Sequence, residues 1–285
     1  MLWWKRIWRQ PMNLFMFIVF HIAAPAIYWL VSREDATLFD GDWLRFHKIV
    51  TNFLLVSVFS NLWKLILSDP TPRKIIFTEN DHITKGWDVC NTCEAYRPHR
   101  AHHCVTCRVC VLKRDHHCYF AGNCVGYSNA RYFYGLLFFT WLALVYTNFI
   151  TLEFLFKTTL LNPIQVLVSF FAPIPAALVG YLHEDFFVLF VSTISLFALG
   201  YTCYLIFLHS ESFVSGITLT EMNREKESYK ERYRTGVFQN MREIFGLNWP
   251  VAWISPFIPS PLLSDGSQFP HPKNNRITHS SRQRK

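Results

Sequence analysis

Seven of the chain's eight cysteines fall between residues 90 and 124. They run Cys90-x2-Cys93-x9-His103-Cys104-x2-Cys107-x2-Cys110-x6-His117-Cys118-x5-Cys124, with Asp115-His116 leading into the last group. A Cys-x2-Cys pair sets two thiolates on one tight turn, within reach of a single tetrahedral Zn²⁺. Disulfides would suit a small secreted domain. A long membrane chain with a basic loop suits reduced, metal-bound thiols better. A tetrahedral zinc takes four donors, so two zincs take eight, and seven cysteines with His103 and His117 offer nine. One donor is left over. Cys118 is the natural candidate because Asp115 and His116 sit beside it: a thiol next to an imidazole deprotonates readily, and thiolate is the nucleophilic form. Spacing alone leaves the choice of spare cysteine open.

Residues 90–133 resemble the cysteine-rich domain of the DHHC protein S-acyltransferases, the palmitoyltransferases. The resemblance is carried by Cys93-x3-Arg97-Pro98, Arg100-Ala101-His102-His103-Cys104, Asp115-His116-His117-Cys118, Asn123-Cys124-Val125-Gly126, Asn129 and Phe133. It implies one structural zinc on Cys90, Cys93, His103 and Cys110 and a second on Cys104, Cys107, His117 and Cys124. These sets interleave, so neither half of the loop folds without the other. It implies Cys118 as the acylated nucleophile, His116 as its base and Asp115 as the group orienting that imidazole. The implied donor is a long-chain acyl-CoA such as palmitoyl-CoA. The implied acceptors are cytosolic or membrane proteins with a juxtamembrane cysteine. Arg97 and Arg100 match motif positions and are candidates for the CoA phosphates, with an exposed solubilising role as the alternative.

Several positions depart from the family pattern. Asp69-Pro70-Thr71 replaces Asp-Pro-Gly, and a helix-stopping turn accounts for it. Tyr119-Phe120 stands where Pro-Trp usually follows the cysteine. Thr218 and Glu221 match Thr-Thr-x-Glu, but Leu219 takes the second Thr, and Thr220 is the possible substitute. Thr218 with Glu221 three residues on is also a capping-box pattern at a helix start. Tyr233-x2-Gly236-x3-Asn240-x4-Phe245-Gly246 resembles the family's C-terminal aromatic-and-Asn motif.

The elements that position these residues follow from composition. Of 285 residues, 51% are hydrophobic and only 17% charged, which is low for a soluble protein. The net charge of +8 could suggest nucleic acid. The apolar runs instead make anionic lipid headgroups or a phosphate-bearing substrate the expected partners, with no nucleic acid. Residues 14–31 form a first apolar span, interrupted by His21 and Pro25. The loop at 32–46 is acidic and therefore non-cytosolic by the positive-inside tendency. A second span at 49–67 returns the chain, and Lys64 near its end can snorkel. Residues 68–131 carry nine Lys and Arg against six Asp and Glu, as a cytosolic loop should. Spans at 132–156 and 186–208 follow, with Asn148 as an interhelical contact and Cys203 as a small core residue. The Pro-rich stretch at 160–182 is read as a far-side interfacial or re-entrant element, since a further crossing would put 209–285 on the wrong side. No internal repeat and no Gly-rich phosphate loop is visible.

The expectation is an all-α multi-pass membrane protein: four transmembrane helices with a cytosolic double-zinc cysteine-rich domain. Its domains are 1–67 (anchor and two spans), 68–131 (zinc domain), 132–208 (two spans) and 209–285 (C-terminal segment with a disordered polar tail). Both termini face the cytosol, in the endoplasmic reticulum or Golgi membrane. Thr218, Glu221 and Asn240 support the site. The alternative to an S-acyltransferase is a membrane zinc module that binds proteins as a scaffold or accessory subunit.

Overall fold

Apolar runs and cysteine knuckles demand different backbones, and the chain supplies both. The computed structural model describes residues 38–71, 87–158, 186–224 and 235–269, with isolated positions between 11 and 32 and at 163, 164, 171 and 233. Three long helices lie within these residues: α1 (Gly41–Leu67), α2 (Ala130–Thr158) and α3 (Phe186–Ser215). Each contains a stretch long and apolar enough to cross a membrane: Gly41–Leu67, Ala130–Phe154 and Ser192–Ser215. Apart from isolated positions, the span expected at 14–31 and the interfacial or re-entrant element expected at 160–182 lie outside the described residues, as do the tail beyond 269 and most of the charged segment at 225–234.

The all-α expectation is corrected. Between α1 and α2 the chain forms six three-residue strands: β1 (Asp88–Cys90), β2 (Ala95–Arg97), β3 (His102–Cys104), β4 (Val109–Val111), β5 (His116–Cys118) and β6 (Asn123–Val125). They pair as three separate antiparallel hairpins. The Cys-x2-Cys turns at 90–93 and 104–107 are each flanked by extended, antiparallel strands, and the third hairpin keeps the same ladder around Cys118 without a second cysteine. Two further corrections concern α3. It runs seven residues past the expected end at 208, to Ser215, where Gly216 takes φ +73°. In its polar last turns the hydroxyls are satisfied locally: Ser215 Oγ donates to Glu211 O at 2.6 Å and Ser212 Oγ to Ile217 O, just past the helix end, at 2.6 Å. Cys203 lies on an exposed face of α3 and not in a packed interior.

The chain divides into two compact units. One draws on Met1–Phe17, Ser60–Gly135 and Phe207–Lys285; the other on Ile18–Phe59 and Leu136–Ile206. In the second unit Asn148 makes the expected interhelical contact, donating to Ser195 Oγ at 2.9 Å. Phe149 and Phe197 point outward from this unit. Such exposed aromatics on helices long enough to span are what a lipid-facing surface requires.

In the first unit, asparagines tie the hairpins to helix ends. Asn123 Nδ2 donates to Leu65 O and Ser68 O, both at 2.9 Å, satisfying carbonyls that the last turn of α1 leaves open. Asn129 Oδ1 accepts from Gly126 N–H, while its Nδ2 donates to Ser68 Oγ and Cys124 O. Gly126 must be glycine: a Cβ there would lie 2.6 Å from Leu112 O. Asp69 Oδ1 accepts from both Thr71 N and Thr71 Oγ1, closing the turn after α1 whether or not position 71 is glycine. Helices α4 (Val237–Phe245) and α5 (Trp249–Ala252) pack Ile244, Phe245 and Ala252 against Ala130, Tyr134 and Phe213.

Candidate active site and metal centres

The three hairpins are one unit repeated. Their registers pair Asp88 with Arg97, His102 with Val111 and His116 with Val125, so each closes a four-residue loop with the same offset. The last loop residue is left-handed every time: Glu94 (φ 51°), Arg108 (φ 56°) and Gly122 (φ 55°). Cys90, Cys104 and Cys118 end the odd-numbered strands in turn. The sequence reading found no repeat because only the cysteines, two histidines and the turn geometry recur. Cys-x2-Cys is complete in the first two hairpins, at Cys93 and Cys107; in the third the matching position is Ala121.

Two clusters each offer four donors: Cys90, Cys93, His103 and Cys110, and Cys104, Cys107, His117 and Cys124. Within each, the ligand atoms lie within 4.8 Å of one another, and either cluster could hold a metal ion. Their spacing suits a tetrahedral zinc. Bonds of about 2.3 Å at tetrahedral angles require sulfurs roughly 3.8 Å apart. Cys93 and Cys110 stand 3.8 Å apart, and Cys107 and Cys124 3.6 Å, both far too long for a disulfide. His103 Nδ1 lies 3.2 Å from Cys93 Sγ, and His117 Nδ1 3.3 Å from Cys107 Sγ. Each cluster joins the turn of one hairpin to a cross-strand His–Cys pair of the next: His103 opposite Cys110, and His117 opposite Cys124.

Cys118 belongs to neither cluster. Side chains alternate along a strand, so His117 faces the second cluster while His116 and Cys118 share the other face of β5. That is the face on which a further Cys-x2-Cys cluster would form if Ala121 were cysteine. Asp115 Oδ2 accepts from His116 Nδ1 at 3.0 Å, leaving the far ring nitrogen for Cys118. Asp115 and Cys118 are buried, and the His116 side chain is 24% exposed. Burial penalises the His116 cation, but hydrogen bonds to Asp115 and Cys118 and their charges outweigh it and push His116 up to about 9. Asp115 is likewise disfavoured by burial, yet the two histidines at its carboxylate hold it well below the usual carboxylate range.

Asp115 is gripped by the segment that carries the Leu219 departure. Leu219 N–H donates to Asp115 Oδ1 at 2.6 Å, and Thr220 Oγ1 to Asp115 O at 2.5 Å. The contact at 219 uses backbone, so the side-chain change leaves it intact, and the Thr220 hydroxyl adds a second bond to Asp115. Thr218 and Glu221 exchange capping-box bonds: Thr218 N–H to Glu221 Oε2 at 2.9 Å and Glu221 N–H to Thr218 Oγ1 at 3.3 Å. Asn240 Nδ2 donates to Val214 O at 2.7 Å, capping the end of α3. Tyr119 is exposed, with its ring centre 5.1 Å from that of His117 in an edge-to-face arrangement.

Arg100 corrects an expectation. Its guanidinium binds Glu221 in bidentate fashion at 2.7 and 2.6 Å and also donates to Gly216 O. Its side chain is 2% exposed and Glu221 fully buried. Rings of Tyr233 and Phe269 lie 4.6 and 4.8 Å from it. An arginine so enclosed has no surface for a CoA phosphate; it ties the second hairpin region to the Thr218–Glu221 segment. Arg97 is partly buried, donates to Ala101 O and lies 3.7 Å from Asp88 Oδ2. Sequence reading missed two groups at the site. Arg114 donates to Thr220 Oγ1 at 2.9 Å, and His209 stands 3.4 Å from Asp115 Oδ2. Neither belongs to a short motif, and His209 fell beyond the expected end of its span.

Comparison with known proteins agrees with this geometry. The family model described as DHHC palmitoyltransferase matches residues 83–226. The chain is 31% identical over 270 residues to "Probable palmitoyltransferase ZDHHC24" of Danio rerio, covering 91% of this chain and 89% of that protein. It is 30% identical over 221 residues to the Homo sapiens protein of that name, covering 76% and 75%. The Rattus norvegicus protein of that name is 30% identical over 233 residues, covering 77% and 76%. The matched stretch contains all three hairpins, the Asp115–His116 pair and the segment that grips it, and the chain belongs to the DHHC palmitoyltransferase family.

Proposed function

We propose that this protein S-palmitoyltransferase works through an acyl-Cys118 intermediate, fed by a long-chain acyl-CoA and discharged onto substrate cysteines. The Cys118 thiolate attacks the thioester carbonyl. The new C–S bond forms as the bond to CoA sulfur breaks, and the departing CoA thiolate takes its proton from His116. In the second half a substrate thiol gives its proton to His116 and attacks the acyl-Cys118 carbonyl, releasing the Cys118 thiolate. Asp115 keeps the imidazole turned toward Cys118 throughout. The observation that carries this reading is the position of Cys118: a cysteine outside both donor clusters, on the same strand face as a carboxylate-held histidine.

Zinc is the proposed metal for both clusters, where it supplies fixed crosslinks between hairpins. The ligand residues themselves hold the turns that present Cys118. Arg97 remains the proposed cation for CoA phosphates, and Thr218, Glu221 and Asn240 the supporting residues. The proposed organisation has four spans: 1–67 with the first two, 68–131 as a cytosolic zinc domain, 132–208 with the second two, and 209–285 as a cytosolic C-terminal segment. Substrates are cytosolic or membrane proteins with a juxtamembrane cysteine, and the membrane is that of the endoplasmic reticulum or Golgi. A membrane scaffold suits the chemistry, because a long acyl chain needs an apolar environment while its thioester needs a cytosolic face. A tag at Lys285 and a protease site near Glu79 should both be reached from the cytosol; a lumenal Lys285 would refute the four-span count.

The decisive test is Cys118→Ser with labelled palmitoyl-CoA. The variant should fold, keep both zincs and form no hydroxylamine-labile acyl-enzyme. Zinc lost together with acylation would make Cys118 a ligand and defeat the reading.

A further inference from the structure

The final turns of α3 bring a second histidine to Asp115. His209 is 3% exposed, and its Nδ1 lies 3.4 Å from Asp115 Oδ2 without a hydrogen-bond partner. Its ring centre stands 5.0 Å from that of His116, 4.8 Å from Phe133 and 6.3 Å from Tyr134. Phe133 is itself 4.7 Å from His116, so the His116 ring is walled by Phe133 and His209. Asp115 Oδ1 is occupied by the Leu219 N–H and Oδ2 by His116, and the remaining approach to Oδ2 is taken by His209.

We propose that His209 is a positioning residue for acyl transfer: it holds Asp115, and through it His116, in line with Cys118. The proposal rests on the acyl-Cys118 reading above. At 3.4 Å, His209 Nδ1 is near enough to Oδ2 for its N–H to be drawn onto the carboxylate. A buried carboxylate with a single imidazole partner is free to swing; one held by a backbone N–H on one oxygen and two imidazoles on the other is not. The arrangement also acts during the reaction. When His116 gives its proton to the CoA thiolate, Asp115 loses a cationic neighbour while still enclosed. The His116 Nδ1–H and the Leu219 N–H still donate to it, and the His209 N–H within reach adds a third donor as that charge is lost.

Asparagine and leucine are nearly the same size, and asparagine places an N–H close to where His209 Nδ1 lies. Single-turnover acylation of Cys118 is measured in H209N, H209L and H209F, alongside zinc content and thermal stability. H209L and H209F should acylate about tenfold more slowly with both zincs retained, and H209N should recover most of that loss. In an Asp115→Asn background, adding H209L should slow acylation little further, because the residue acts through Asp115. Three results would overturn the proposal: H209L matching wild type, H209N as slow as H209L, or an undiminished H209L effect on top of D115N. Binding of a third zinc that H209L abolishes would make His209 a ligand and overturn it too. If H209F fails to fold, the asparagine–leucine pair still decides. A wild-type protein that never acylates Cys118 would defeat the underlying reading; acylating wild type with indifferent His209 variants would defeat this inference alone.

Discussion

The second and third hairpins share a backbone and differ in chemistry. Each begins with His-His-Cys, at 102–104 and 116–118, and each turns through a four-residue loop ending in a left-handed residue. In the second, Cys104 meets Cys107 across the turn and is drawn into a donor cluster. In the third, Ala121 stands where that partner would be, and Cys118 is left with His116. The histidines differ as well. Burial pushes His102 down to about 4, whereas Asp115 and Cys118 carry the equivalent His116 up to about 9 against the same penalty. On the proposed reading, the nucleophile is a metal-ligand position whose partner thiol is absent and which has the Asp115–His116 pair in reach.

The largest effect should come from breaking the second hairpin at the residue equivalent to the nucleophile. Cys104→Ser should strip one zinc and leave misfolded protein. Structural zinc sites in small peptides are worth about 10–16 kcal/mol, comparable with the whole stability of a typical domain. Zinc content by atomic absorption and a melting curve check this; two zincs and an unchanged melt would collapse the contrast with Cys118→Ser.

Next is His116→Ala, which should keep both zincs yet slow acylation by about 10²–10⁴. Single-turnover labelling reads the rate, and an unchanged rate would mean the third hairpin is no more catalytic than the second. Glu221→Ala probes the link between the two regions. It leaves Arg100 buried without its carboxylate, which should cost about 3–5 kcal/mol of stability, readable by denaturant unfolding. A loss under 1 kcal/mol would show that Arg100 finds water instead, and would return it to the candidates for phosphate binding.

The smallest and sharpest change is Ala121→Cys, which restores the missing partner. With zinc in excess, acylation should fall about tenfold as Cys118 is captured as a ligand, and return on mild chelation. An A121C protein as active as wild type under both conditions would show that something other than the absent thiol keeps Cys118 free.

The sequence by itself determined that nine soft donors crowd one loop and that the chain has membrane character, while the division of those donors into two sets came from the family resemblance. Cysteine and histidine side chains at these spacings have few other uses, and helix-length apolar runs are read from composition. It also paired His116 with Cys118 through their closeness along the chain; that they share one face of a strand is what the structure added. The strands themselves were not legible, because three-residue ladders carry too little periodicity to register. Tertiary structure decided what each cation and donor is spent on. Arg100 looked like a surface cation until Glu221, far along the chain, enclosed it. Leu219 looked like a lost hydroxyl, yet the bond to Asp115 comes from its backbone N–H, which every residue but proline can offer. His209 carried no signal in its own segment. Its place beside Asp115 depends on α3 continuing to Ser215 and on how that helix packs against the third hairpin, and long-range contacts of that kind are written in no local pattern.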